Sequence, residues 1–226
     1  MIQLSVDASG KSAACALTNN GKLIASEFTN SGLTHSQTLL PLIDKMLKKA
    51  DVSIDRIDSF AVTNGPGSFT GLRIGMALIM GLAGEKPCVA VPTLQALAYN
   101  MVDTNGIIIP VMDARRNQVY TAVFESKDGI ISRLEQDCAI SVEQVIENLK
   151  KYTDKPIWII GDGAYLFKDT VDFINFPDED KLYPSGFSIA LASQNIQPST
   201  AKQLKINYLR LSQAERELKE KKKNEN

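Results

Sequence analysis

Ile2-Gln3-Leu4-Ser5-Val6-Asp7-Ala8-Ser9-Gly10 opens the chain, and Ile107-Ile108-Ile109-Pro110-Val111-Met112-Asp113-Ala114-Arg115-Arg116-Asn117 opens its second half. Each is an apolar strand pattern that stops at an aspartate and runs into a tight turn. After the first, Ala13 to Thr18 alternates as a second strand, Asn19-Asn20-Gly21 supplies a hairpin turn, and Lys22 to Phe28 returns. After the second, Gln118 to Glu125, Lys127-Asp128-Gly129 and Ile130 to Leu134 repeat the same order. The two aspartates are 106 residues apart, too long a period for a solenoid, so the reading is a duplicated pair of half-domains. Residues 1–105 form one lobe, residues 106–214 the other, and residues 215–226 a tail.

Beyond each three-stranded opening the pattern alternates helix and strand. The first half predicts a helix over Thr34 to Ala50, a strand over Ser59 to Thr63 and a helix over Gly71 to Gly84. A strand over Pro87 to Val91 and a helix over Thr93 to Val102 complete it. The second half predicts helices over Ser141 to Tyr152, Tyr165 to Ile174 and Ile189 to Gln194, with a strand over Ile157 to Ile160. This succession implies an α/β fold in which a mixed sheet in each lobe is flanked by helices.

Composition narrows the function classes. Twenty-five Lys and Arg against 26 Asp and Glu leave a net charge of −1, which argues against a strongly basic nucleic-acid reader and leaves room only for a local basic patch. One histidine, His35, excludes any site needing two imidazoles. Cys15, Cys88 and Cys138 are odd in number and far apart, the pattern of reduced thiols in the cytoplasm. The most apolar run, Ile74 to Gly84, has 11 residues against the ~20 of a membrane span, and no signal segment is expected. Eight of the nine residues from Glu215 to Lys223 are charged, so the tail is expected to be solvated or disordered.

Three features carry chemistry. Asn64-Gly65-Pro66-Gly67-Ser68-Phe69-Thr70-Gly71 takes a strand through a glycine-rich turn into a helix, either an anion cradle or a tight structural turn. Asp7 and Asp113 end equivalent strands, where two-lobed phosphotransferases handle metal and water beside nucleotide phosphates. Such sites need a glycine two residues on, and here Ser9 and Arg115 stand there. Gly161-Asp162-Gly163 occupies the place of a nucleoside-binding turn. The outline is a vestigial nucleotide or anion site of Asp7, Ser9, Gly65, Gly67, Ser68, Asp113, Gly161 and Gly163.

The third feature is surplus apolar helix surface. Leu39, Leu40, Leu42, Ile43, Met46 and Leu47 cover roughly 160° of a helix wheel, wider than the ~100° a docking stripe needs. Thr34 and Gln37 fit a capping box, and Pro41 is expected to kink that helix. From Arg73 to Glu85 no charge appears, with Leu72, Met76, Ile79 and Ala83 on one face and Ile74, Leu78 and Leu82 on another. Such a helix is either wholly internal or presents one face to a partner.

Asn64 to Gly75, His35 to Pro41, Asp113 to Tyr120 and Tyr208 to Glu215 together resemble the bacterial TsaB (YeaZ) family, in the right order across nearly the whole chain. The chain departs from the family's common pattern at Ser185, Gly186 and Ile206. The resemblance implies an actin-like ASKHA fold of two duplicated lobes. It also implies a non-catalytic partner subunit that supports TsaD, the paralogue that transfers a threonylcarbamoyl group to N6 of adenosine 37 in tRNAs reading ANN codons. TsaE, an ATPase, joins them. The implied partner surface is His35, Leu39, Leu40, Ile43, Met46, Leu47, Phe69, Leu72, Met76, Ile79 and Met80, which would also form a homodimer when the chain is alone. No catalytic residue, metal or cofactor is expected in this chain, since ATP and metal belong to the partner subunits, and tRNA is reached through the complex. No peptidase activity and no membrane contact are expected. The alternative is an independent ASKHA kinase or nucleotide hydrolase, against which Arg115 argues.

Overall fold

The computed structural model describes residues 1–168 and 170–210. The charged tail, and Leu211 onward of the Tyr208 to Glu215 motif, lie outside the described residues. Two five-stranded sheets form the framework. In the first, β1 (Ile2–Asp7), β2 (Ala13–Asn19), β3 (Lys22–Thr29), β4 (Ser59–Thr63) and β5 (Cys88–Val91) lie in the order β3-β2-β1-β4-β5. In the second, β6 (Gly106–Asp113), β7 (Gln118–Lys127), β8 (Ile130–Ser141), β9 (Ile157–Ile160) and β10 (Ile174–Asn175) lie in the order β10-β9-β6-β7-β8. Each has an antiparallel meander on one side of its first strand and parallel strands on the other. The second sheet therefore repeats the first strand for strand, as the duplicated openings require. The chain has the α/β architecture expected of it, a mixed sheet flanked by helices in each half.

The helices are α1 (His35–Lys49), α2 (Phe69–Ala83), α3 (Thr93–Tyr99), α4 (Val142–Leu149) and α5 (Gly186–Ser193). They build layers. α1 and α2 cover one face of the first sheet, with Leu39, Ile43, Met46, Met76 and Ile79 packed on Leu4, Val6 and Phe60. α3 and α5 cover its other face, where Ala96, Tyr99, Ile189 and Ala192 meet Ala61, Val89 and Val91. α3 also packs on the second sheet through Leu94, Leu97 and Ala98, against Ile108, Met112 and Phe124. α4 closes the far side of that sheet. α3 thus lies between the two sheets, and every residue in it but Gln95 is buried.

Four elements differ from the sequence reading. Tyr165 to Ile174 is not one helix: a 3-10 turn covers Ala164–Phe167 and ends where Lys168 turns to extended backbone (φ −58°, ψ 135°). β8 runs to Ser141, far past Leu134, because its alternating half-buried residues pair with β7 along nearly its whole length. Thr34 precedes α1 without capping it, since its hydroxyl donates to Gln37 Oε1 (2.9 Å) instead of accepting a backbone N–H. The helix runs unbroken through Pro41. α5 belongs in sequence to the second half, yet it packs on β1 and β2 of the first sheet. Gly186 allows the approach, because a Cβ there would fall inside 3.0 Å of the Cys15 and Ala16 backbone.

Candidate functional site

A cleft of about 470 Å³ lies between the lobes, lined by the first turn (Ser9, Gly10, Lys11), the start of α2 (Gly67 to Thr70), the β6–β7 turn (Asp113 to Arg115), Tyr120 and Asp162. The start of α2 is built against the first turn. Ser68 caps the helix by accepting from the Gly71 N–H (3.2 Å), while its own N–H donates to Ser9 O (2.7 Å). Gly67 has φ +156° and a Cβ there would collide with Ser9 O, so the two loops abut only because this residue is glycine. His35 ties α1 into the same knot. Its Nε2 is 2.9 Å from Gly10 O, and since a carbonyl only accepts, Nε2 carries the proton and the buried Nδ1 is left without a partner.

Asp7 does not reach the cleft as an open carboxylate. It is fully buried, and Oδ1 accepts from Ser9 N–H (3.1 Å), Ser9 Oγ (2.7 Å) and Thr63 Oγ1 (2.6 Å), while Oδ2 has no partner. Burial pushes its carboxyl above the usual value, against the opposing pull of those hydrogen bonds. Asp113 lies at the cleft wall, its Oδ1 accepting from Arg115 N–H (2.7 Å) and its Oδ2 from the Tyr165 hydroxyl (3.2 Å). Asp162 accepts from the Asp113 N–H (3.1 Å), and burial raises its carboxyl too. Gly65 and Gly161 lie behind the cleft: a Cβ on either would strike the carbonyl of Asn207 or of Val111. Gly163 packs on the Asp113 backbone. Of the expected phosphate-loop residues, Ser9, Gly67, Ser68 and Asp113 line the cleft, and Asp7, Gly65, Gly161 and Gly163 do not.

Lys11, Thr70 and Tyr120 line the cleft as well. Sequence reasoning named none of them as site residues: Gly10-Lys11-Ser12 has the ending of a phosphate loop, but Ser5 stands where its first glycine is required, and Tyr120 ends the Asp113 to Tyr120 motif. The β6–β7 turn is strained: Arg115, Arg116 and Asn117 have φ of 65°, 56° and 55°. Left-handed backbone costs about 1–2 kcal/mol for each ordinary residue, less for asparagine.

The chemistry available is limited. Burial pushes the Cys15 thiol up to about 12 and raises Cys88 and Cys138, so no thiol is poised as a nucleophile. Among the described residues no group of three or more His, Cys, Asp or Glu could hold a metal ion. No helix among them is long and apolar enough to cross a membrane.

The expected partner surface divides into two parts. Leu39, Ile43, Met46, Leu72, Met76 and Ile79 are buried in this chain, so none of them is free to meet another protein. The apolar width that suggested an interface is used by the chain's own sheet. His35 and Phe69 are half-buried in local contacts, and Leu47 is half-buried against the core. Leu40 and Met80 are exposed, 51% and 39%. Beside them α2 presents half-buried Ile74, Leu78 and Leu82 around exposed Ala77 and Gly81. This is an apolar ridge with no charge between Arg73 and Glu85.

The family model for TsaD, tRNA N6-adenosine threonylcarbamoyltransferase, matches residues 26–224. The tRNA threonylcarbamoyladenosine biosynthesis protein TsaB of Bacillus subtilis is 31% identical, over 95% of this chain and 96% of its own. The Escherichia coli protein of the same name is 31% identical over 74% of this chain and 73% of its own. In fold, the chain matches a Pseudomonas aeruginosa protein described as similar to peptidase YeaZ, with TM-score 0.80 and 23% identity over 92% of this chain and 99% of that one.

Proposed function

Because the chain belongs to the TsaB (YeaZ) family of tRNA threonylcarbamoyladenosine biosynthesis proteins, we propose that it acts there as a non-catalytic partner subunit of a TsaD-type transferase. The observation that carries this reading is the uncharged ridge of α2, where Ala77, Met80 and Gly81 are exposed and Ile74 and Leu78 are half-buried, together with exposed Leu40 of α1. Ala77 and Gly81 let a partner helix approach closely, and the flanking aliphatic side chains supply the area to be buried. A TsaD-type subunit, being built on the same duplicated lobes, has helices suited to pack there in a helical bundle. A second copy of this chain takes its place when the transferase is absent.

In this reading the chain contributes no catalytic group. Its cleft has a buried, hydrogen-bonded Asp7, no poised thiol and a histidine whose Nε2 proton is engaged by Gly10 O, features that support a supporting role over nucleotide hydrolysis or peptidase chemistry. ATP and metal are used by the TsaD and TsaE subunits, and tRNA is reached through the assembled complex. The test is a reconstituted mixture of TsaD, TsaE, threonylcarbamoyl-adenylate, ATP and unmodified tRNA, run with and without this chain. Modified tRNA formed only when the chain is present is the expected result. Equal product without it would overturn the subunit role, and nucleotide turnover by the isolated chain would replace that role with an independent enzyme.

A further inference from the structure

Residues 205–210 cross from one lobe to the other at the mouth of the interlobe cleft. Asn207 N–H donates to Asn64 O (2.7 Å), and the Asn64 side-chain amide donates to Lys205 O (3.2 Å). Tyr208 lies flat on Phe69, ring centroids 4.2 Å apart and planes within 8°, and its hydroxyl accepts from Arg73 Nε (2.9 Å). Two residues on, the Arg210 guanidinium donates to Ala114 O (2.9 Å) and sits 5.7 Å from the Tyr120 ring centroid. Phe69, Ala114 and Tyr120 all line the cleft. The strap is therefore fastened along the first lobe and lands on the second through one side chain.

Its landing point is the residue before the three left-handed ones. That turn holds its shape through bonds of Arg115 N–H to Asp113 Oδ1 (2.7 Å), Ala114 N–H to Gln118 O (2.9 Å) and Gln118 N–H to Arg115 O (3.2 Å). The Asn117 side chain also reaches Glu143 (2.8 Å). Three consecutive left-handed residues persist only where surrounding contacts over-determine them, and such an element has a relaxed alternative once a clamp is removed. Arg115 is both the first of the three and part of the cleft wall.

We propose that residues 205–210 are a latch on the interlobe cleft, in which Arg210 holds the Ala114 to Asn117 turn in its left-handed form and so keeps Arg115 at the rim. When the strap lifts, the turn relaxes and the cleft opens. The latch concerns this chain alone and stands or falls apart from the subunit role.

Hydrogen exchange of the full chain, resolved to short peptides, tests it. With Arg210→Ala, exchange over Arg115 to Gln118 rises about tenfold or more, the worth of one charged hydrogen bond, while β1 and β2 amides are unchanged. Arg210→Lys restores the protection only in part, because an ammonium lacks the flat guanidinium that lies by Tyr120. Tyr208→Ala removes the strap's side-chain anchor on Phe69 and Arg73 but leaves its backbone bonds to Asn64, so it raises exchange in the turn in the same place as Arg210→Ala and to a smaller extent. Unchanged exchange in the turn with both alanine variants overturns the latch. So does a rise spread equally over both sheets, which marks the strap as general stabilisation.

Discussion

Leu39 and Leu40 are neighbours on one helix and are predicted to behave oppositely. Leu39 is wholly buried against the first sheet and Leu40 is half exposed on the ridge. Truncating a buried leucine removes its transfer energy and leaves a cavity, about 2–5 kcal/mol, whereas truncating one already half in water costs about 1 kcal/mol or less. For a chain of this length each kcal/mol lowers Tm by about 2–4 °C. Leu39→Ala is thus expected to lower Tm by ~4–20 °C, and Leu40→Ala by ~4 °C at most, in thermal unfolding followed by circular dichroism. Glutamate sharpens the contrast: at Leu39 it buries a charge and unfolds the chain, while Leu40→Glu leaves the fold intact and changes only assembly, read by light scattering on a sizing column. Each melt is run at two protein concentrations, because dissociation of an assembly would itself lower Tm on dilution. Equal losses at the two positions would refute the division of α1 into a core face and a partner face.

Gly71→Ala places a Cβ inside 3.0 Å of Ala8 O and 2.9 Å from the His35 ring, so α2 must back away from the first turn, a loss of about 1–3 kcal/mol visible as a lower Tm. Gly81→Ala in the same helix meets nothing within 4 Å and is expected to stabilise by about 0.5–1 kcal/mol; a loss there would contradict the open ridge. Asp7, raised by burial, favours folding fully below its unfolded value of 3.8 and loses that contribution as the pH climbs through the higher folded value. Asp7→Asn keeps the acceptor for Ser9 and Thr63 but cannot ionise, so its Tm relative to the parent should rise between acid and neutral pH, and a flat difference would exclude ionisation at this residue. Ellman's reagent at neutral pH should label half-exposed Cys138 well before buried Cys15 and Cys88, with all three reacting after unfolding; faster labelling of Cys15 would contradict its burial.

The duplicated framework was legible because it is written locally: apolar runs, an aspartate, a glycine turn, twice over. The edges of elements followed less well. Tyr165 to Ile174 has helical spacing, but the backbone turns extended at Lys168, directly after Phe167. Of the phosphate-loop outline, four residues line the interlobe cleft. What the outline lacked was depth: Asp7 is hidden because Thr63, 56 residues on, closes over it. The helix wheel found α1 and α2 but could not say which of their apolar faces the sheet would take. The strap was out of reach for the same reason, since Asn64 and Lys205 are 141 residues apart.

α3 has its own consequence. It supplies side chains to the cores of both sheets at once, and α5 and Ala201 return from the second half to cover the first sheet. A duplication usually suggests two pieces that could once stand alone. Here the halves have become mutually obligate: cut at residue 105, the first fragment loses α5 and the second loses α3, and each exposes an apolar sheet face. The two lobes are therefore expected to melt together, as one calorimetric peak whose van't Hoff and calorimetric enthalpies agree.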